Sequence, residues 1–275
     1  MIRFAVNGAG GRMGKRIVAL LADQQDCRLV CALERAGHPD MGKDAGQVAG
    51  TQPAGVPLTG ALAGAVEKPD VLLDFSTPES TLARADECAA AGVAIVIGTT
   101  GLGARDLEHL RSKAAAVPVL VAPNMSVGVN LLTSLVGRVA AALGTDYDIE
   151  IVEMHHRRKK DAPSGTALKL AEEICTAMGW RPCETLIFGR QGMVGERPRG
   201  RIAVHAVRGG DVVGDHTVIY AGDGERIEIT HRATSRDVFA LGAIRAGRFL
   251  AGRRAGLYTM AQVLNQGGAP GRRPA

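Results

Sequence analysis

The sequence predicts an α/β protein: a parallel sheet covered by helices on both faces, followed by a smaller α+β domain built on a mixed sheet. Three observations predict it. The first half alternates β-type runs with helical runs. Its β-type runs are apolar throughout, as strands buried on both faces must be. Past about residue 180 the pattern changes to short alternating runs between Gly-rich turns, which reads as antiparallel or mixed sheet.

In chain order, the strand-like runs of the first half are Arg3–Asn7, Cys27–Glu34, Val71–Phe75, Val93–Gly98 and Val117–Ala122. Helical periodicity fills Arg12–Ala22, Ser80–Ala91 and Ala104–Ala115. Thr77-Pro78-Glu79 supplies a cap, a proline and a first-turn acid to the second of these helices. A helical run Gly128–Leu143 leads to a strand Asp146–Met154, and a further helix spans Ser164–Met178. Leu186–Phe188, Arg201–Val207, His216–Tyr220 and Arg226–His231 read as strands, with turns at Gly209-Gly210 and Gly222-Asp223-Gly224. Helical periodicity returns from Ser235 to about Ala251, and Gly256–Leu264 reads as a short helix. Arg190–Gly200 reads as a mobile connector, and the Gly/Pro/Arg-rich tail as disordered.

The first strand runs directly into Gly8-Ala9-Gly10-Gly11-Arg12-Met13-Gly14. A strict GxGxxG fails because Met13 holds its third glycine position; GxxGxxG succeeds with Gly8, Gly11 and Gly14. Both serve the same demands: a tight strand-to-helix turn, backbone close to a pyrophosphate, and a helix N-terminus aimed at it. Glu34 ends the second strand about 20 residues on, where an acid accepts from the adenosine ribose hydroxyls. Arg35 beside it can pair with a 2′-phosphate, so both NADH and NADPH are expected. Gly98-Thr99-Thr100 and Ala122-Pro123-Asn124-Met125 also lie at strand carboxyl ends, where such sheets bind ligands. These segments are expected to line the nicotinamide ribose and to orient the carboxamide.

Composition narrows the function classes. The 275 residues suffice for one large or two ordinary domains. A net charge of +5 favours anionic ligands, but aromatics are only 3% and the cations form no long stripe, which argues against nucleic acid. Five cysteines without a CxxC pair read as reduced thiols of a cytosolic protein. The chain begins Ile2–Val6 with no signal-peptide pattern, and no run of about 18 apolar residues suggests a membrane span.

The densest chemistry is the run Glu150–Ala167, between a strand and a helix. Ser164 caps that helix, and Gly165 and Thr166 present backbone N–H groups that favour a carboxylate. His155 can exchange a proton near neutral pH, and Lys159 adds a positive charge or a proton. His155-His156 could suggest a metal, but no carboxylate or thiol set at ligand spacing accompanies it, so none is expected.

His-His-x-x-Lys-x-Asp-Ala-Pro-Ser-Gly-Thr-Ala, residues 155–167, resembles the signature of the dihydrodipicolinate reductases, also called 4-hydroxy-tetrahydrodipicolinate reductases. Gly8–Gly14, Glu34-Arg35, Gly98–Gly101 and Ala122–Met125 resemble that family's cofactor loops. The resemblance implies an oxidoreductase of lysine and diaminopimelate biosynthesis. It would use NADH or NADPH to reduce a cyclic dicarboxylate, 4-hydroxy-tetrahydrodipicolinate, to tetrahydrodipicolinate in the cytoplasm. It implies a Rossmann dinucleotide-binding domain over residues 1–126, completed by 239–265, and a substrate-binding and tetramerisation domain over 127–238. The tail is 266–275. His155 and Lys159 would be catalytic, with His156, Gly165 and Thr166 on the substrate. Gly8, Ala9, Gly10, Gly11, Arg12, Met13, Glu34, Arg35, Gly98, Thr99, Thr100, Ala122, Pro123, Asn124 and Met125 would hold the cofactor, in a homotetramer.

Overall fold

Apolar runs flanked by glycine turns become strands because branched side chains pack well on a pleated surface buried from both sides. The computed structural model describes residues 1–265; the tail expected to be disordered lies outside the described residues. From the N-terminus the elements are β1 (Ile2–Asn7), α1 (Arg12–Ala22), β2 (Cys27–Leu33), α2 (Ala45–Ala49), β3 (Leu58–Thr59), β4 (Val71–Asp74), α3 (Pro78–Ala91), β5 (Ala94–Ile97), α4 (Ala104–Lys113) and β6 (Pro118–Val121). The chain continues with α5 (Val127–Leu143), β7 (Asp148–His155), α6 (Gly165–Met178), α7 (Pro182–Thr185), β8 (Leu186–Phe188), β9 (Ile202–Arg208), β10 (Gly214–Gly222) and β11 (Glu225–Ala233). It closes with α8 (Asp237–Leu250), β12 (Gly256–Tyr258) and α9 (Met260–Asn265). The chain divides into two units. One comprises Met1–Val127 and the segment from Asp237 onward, the other Gly128–Arg236.

In the first unit the described residues form a parallel sheet in the order β12-β6-β5-β4-β1-β2-β3. The central strands are buried on both faces, and Phe4, Leu72, Leu73, Ile95 and Ile97 have no exposed surface. Such side chains each contribute about 1.5–3 kcal/mol on burial. One buried polar network fixes three strand ends. Asp74, fully buried at the end of β4, accepts from Asn7 Nδ2 (2.7 Å), Ser76 Oγ (2.6 Å), Thr81 Oγ1 (2.5 Å) and Thr99 Oγ1 (2.9 Å). A buried carboxylate is tolerable only with its lone pairs taken in this way.

The C-terminal end departs from expectation. Gly256–Tyr258 is not helical but pairs parallel with Pro118–Leu120, and only Met260–Asn265 is helix. The edge of β6 offers free backbone groups, and an extended segment satisfies them where a helix could not.

In the second unit the sheet order is β11-β10-β7-β9-β8, antiparallel on one side of β7 and parallel on the other. Helices α5 and α6 pack on one face through Leu132, Val136, Ala140, Leu170, Ala171 and Ile174. The Tyr220 hydroxyl donates to the Val136 carbonyl inside this core (2.7 Å). The stretch Val127–Asp146 is long and apolar enough to cross a membrane by length and mean composition alone, although Asn130, Thr133, Ser134 and Arg138 break its apolar run. Its buried stripe at 132, 136 and 140 serves the core of this unit instead.

Arg190–Gly200 is also not the loose connector expected. Glu150 accepts from Arg190 Nη2 (2.6 Å), Arg197 Nε (2.8 Å) and faces His205 Nε2 (2.6 Å). Arg197 reaches Asp148 and the Ile149 carbonyl as well. Burial pushes the Glu150 carboxyl up, but these three partners outweigh it and hold it at about 2. The segment is pinned at both arginines.

Candidate active site

The glycine loop is shaped by space as much as by flexibility. Gly8 has φ +75°, and a Cβ there would stand 2.6 Å from the Phe75 carbonyl oxygen. A Cβ on Gly14 would lie 2.0 Å from the Gly8 oxygen and 2.6 Å from Ala9 Cα, so the first turn of α1 rests directly on the loop. On Gly10 it would meet the His38 ring at 2.7 Å. Gly11 is the N-cap of α1; no side chain caps that end and its first turn holds no acid. Gly11 and Arg12 are exposed, while Met13 is half-buried against the core. A helix end with no side-chain cap and no acid in its first turn fits a pyrophosphate.

Glu34 closes this loop from β2. Its carboxylate accepts from the N–H of Gly10 (3.0 Å) and of Arg35 (3.0 Å). An ionised carboxylate offers about four acceptor positions, so capacity remains for ribose hydroxyls. The Arg35 side chain is exposed.

At the other strand ends, Gly98 leaves room for the Phe75 ring, which a Cβ would approach to 2.3 Å. The Thr99 hydroxyl is buried and committed, donating to Asp74 and accepting from Ser76 N–H (3.0 Å), while Thr100 is exposed. The Ala122 N–H donates to Ile97 (3.0 Å), Pro123 is exposed, and Asn124 Oδ1 accepts from Ser126 N–H (2.9 Å). Met125 is buried, with α8 so near that a Cβ on Gly242 would lie 1.8 Å from the Met125 oxygen. These residues stand at the carboxyl ends of β1, β2, β5 and β6, where open α/β sheets bind ligands.

The second unit holds the proton-active groups. Alternation along β7 sends Ile149, Ile151, Glu153 and His155 to one side, and Ile149, Ile151 and Glu153 are fully or almost fully buried. Glu153 faces His155 Nδ1 (2.6 Å) and accepts from Arg208 Nη1 and Nη2 (2.8 Å each) and from Ser164 N–H (3.0 Å). Arg208 is opposite His155 on β9, and His216 opposite Glu153 on β10. Ser164 Oγ caps α6 by accepting from Ala167 N–H (3.2 Å) and lies 3.1 Å from His216 Nε2. The His155 and His216 rings meet edge to face at 5.2 Å. Burial above all, with the charges of His155 and Lys159 adding to it, pushes His216 down to about 4, so it is neutral at pH 7.

Lys159 follows a different course from His155. Its ammonium grips Asp161 through both oxygens (2.8 Å each) and holds that carboxyl below its usual range. The two residues meet electrostatically at His216 rather than through a hydrogen bond. The loop is tied down by His156 N–H to Val212 (2.8 Å) and Gly209 N–H to His155 (2.9 Å). His156 Nδ1 is buried with no partner among the described residues, as a side chain awaiting a ligand would be. Gly165 is exposed and nothing lies within 4 Å of a Cβ built on it, while Thr166 is half-buried. Arg157, Arg158 and Lys160 are exposed.

Sequence reasoning missed Glu153, Arg208 and His216. The first and last had a signal: Glu153 is in phase with Ile149 and Ile151, and His216 with Val218 and Tyr220. Arg208 had none, because only strand register brings it to Glu153.

Comparison with known proteins agrees over 96% of the chain. The family models for the dihydrodipicolinate reductase N-terminus and C-terminus match residues 2–125 and 128–264. A 4-hydroxy-tetrahydrodipicolinate reductase of Anaeromyxobacter sp. (strain Fw109-5) is 51% identical over 264 residues, 96% of this chain and 98% of that protein. The enzyme of the same name from Myxococcus xanthus (strain DK1622) is 48% identical over 266 residues, again 96% of this chain and 98% of that one. A dipicolinate-bound dihydrodipicolinate reductase from Paenisporosarcina sp. TG-14 superposes with TM-score 0.75 at 28% identity, covering 94% of this chain and 97% of the other. A C. glutamicum DAP dehydrogenase in complex with DAP, at TM-score 0.53 and 17% identity over 98% of this chain and 96% of that one, shares the fold alone.

Proposed function

The chain belongs to the dihydrodipicolinate reductase family, and from that premise we propose which of its residues carry each part of the reaction. The enzyme reduces 4-hydroxy-tetrahydrodipicolinate to tetrahydrodipicolinate with a nicotinamide dinucleotide, a step of lysine and diaminopimelate biosynthesis. One hydride and one proton enter, and one water leaves.

The dinucleotide is held by the first unit, over residues 1–126 and 239–265. The turn Gly8, Ala9, Gly10, Gly11, Arg12 and Met13 presents backbone to the pyrophosphate. Glu34 takes the ribose hydroxyls and Arg35 the 2′-phosphate, so both NADH and NADPH serve. Gly98, Thr99, Thr100, Ala122, Pro123, Asn124 and Met125 line the nicotinamide end, Thr99 through its backbone. When bound, the nicotinamide supplies the hydride.

The second unit, over residues 127–238, receives the dicarboxylate. The N–H groups of Gly165 and Thr166 and the α6 dipole hold one carboxylate, and the unpartnered His156 Nδ1 supplies a further polar contact. His155 exchanges the proton through its imidazole. Lys159 holds positive charge beside the ring and donates a proton once substrate draws it from Asp161. The carrying observation is that one short loop places His155, Lys159 and a serine-capped helix start together, with an orphaned buried nitrogen among them. By family likeness the active species is a cytoplasmic homotetramer.

The cofactor assignment is tested by following NADH and NADPH oxidation with enzymatically generated substrate. Arg35→Ala is expected to raise KM for NADPH about 10-fold, the worth of one charge-assisted contact, with KM for NADH within about 2-fold. Equal effects on both would remove the 2′-phosphate role.

A further inference from the structure

Glu153 has no exposed surface, and four donor atoms from three residues converge on its carboxylate. Arg208 binds it from β9, Ser164 N–H from the start of α6, and His155 from its own strand. Burial pushes the Glu153 carboxyl up, but Arg208, His155 and Ser164 outweigh it and keep it below the usual carboxylate range. It is therefore ionised at neutral pH and can only accept. His155 Nδ1, at 2.6 Å, must then carry a hydrogen in both charge states of the ring. Nε2 is the one nitrogen whose protonation changes.

A second observation concerns the space beside Nε2. Gly214, buried at the start of β10, lies against it: a Cβ there would stand 2.9 Å from His155 Nε2 and 3.3 Å from Cδ2. Gly214 is not among the positive-φ glycines, so its backbone would accept alanine. Only the proximity of the imidazole asks for glycine there.

We propose that Glu153 is a positioning residue that commits the proton traffic of His155 to Nε2, and that Gly214 keeps this nitrogen uncovered. This rests on the reading of His155 as the proton-exchanging group. In the step, the Nε2–H bond of the imidazolium breaks and the proton passes to the substrate. The electron pair stays on Nε2, leaving a neutral ring with hydrogen on Nδ1. Arg208 on β9, His216 on β10 with His231 opposite it on β11, and the loop residue Lys159 are the other charged or titratable groups of this cluster. His216 stays neutral, and Arg208 offsets the charge of Glu153. The imidazolium thus forms beside a neutralised pair, not a bare anion, and can release its proton again.

The test uses full-length enzyme labelled with ¹⁵N-histidine, the His155 resonances being assigned with His155→Gln. In the wild type at alkaline pH the His155 ring is expected as the Nδ1–H tautomer; an Nε2–H tautomer overturns the proposal. Glu153→Gln offers one oxygen where four donors converge, so the tautomer preference is expected to vanish. Its kcat should fall about 10–100-fold, with substrate KM within about 3-fold, as for a misplaced proton group. Gly214→Ala leaves Glu153 intact and decides the matter even if Glu153→Gln does not fold. Its tautomer should be unchanged and its kcat lowered about 10-fold or more. Wild-type kcat in Gly214→Ala and in folded Glu153→Gln, with His155→Gln slow, would overturn positioning while sparing His155. Wild-type kcat in His155→Gln would overturn both.

Discussion

Lys159→Ala is expected to bind NADH as the wild type does and to lose about 10²–10⁴-fold in kcat, the usual worth of a positioned proton donor. Lys159 lies in the second unit, whereas every residue assigned to the dinucleotide lies in the first. Its ammonium bonds to Asp161, whose side chain is 62% exposed, and such a pair adds only about 0–1 kcal/mol to stability. The variant should therefore fold normally, and a lost rate will report chemistry. Steady-state kcat and NADH affinity, followed by nucleotide fluorescence, separate the outcomes. Weakened NADH binding with unchanged kcat would count against the assignment.

Gly14→Ala is expected to fail in the opposite way. The new Cβ would be 2.0 Å from the Gly8 oxygen and 2.6 Å from Ala9 Cα, both backbone atoms that cannot turn aside. Either α1 lifts from the loop or the loop opens, and each outcome moves the N–H groups meant for the pyrophosphate. Overpacking of this kind costs about 1–3 kcal/mol or more. NADH affinity should drop by about 100-fold, matching the roughly 3 kcal/mol lost with the loop. Urea midpoints and NADH titration measure the two effects. Wild-type values in both would show that the loop does not need its close packing.

The first half of the fold was legible because buried parallel strands are apolar at every position. β1, β2, β4, β5 and β6 therefore stand out as runs. β3 and α2 were not, since two and five residues are too few to show a period. β12 was misread as helix because its extension comes from pairing with Pro118–Leu120, a tertiary contact. The candidate site divides in the same way. His155, Lys159, Ser164 and the glycine loop are marked by local chemistry. Glu153 looks like an ordinary strand charge until Arg208, His155 and Ser164 are seen to converge on it. The Arg190–Gly200 segment carries glycines that suggest freedom, yet its arginines are anchored on Glu150, a residue 40 positions from Arg190. Long-range partners such as these leave no periodic trace.

The central claim is that the β7–α6 loop receives the dicarboxylate at the start of α6. Amide hydrogen exchange with and without pyridine-2,6-dicarboxylate, a planar dicarboxylate of the same ring size, tests it most directly. N–H groups in the first turn of a helix have no intrahelical acceptor, so a ligand that accepts from them slows their exchange. The expected result is that the ligand slows exchange at Gly165 and Thr166 and leaves Gly10–Met13 unchanged. Protection at Gly10–Met13 with none at Gly165 and Thr166 would contradict it.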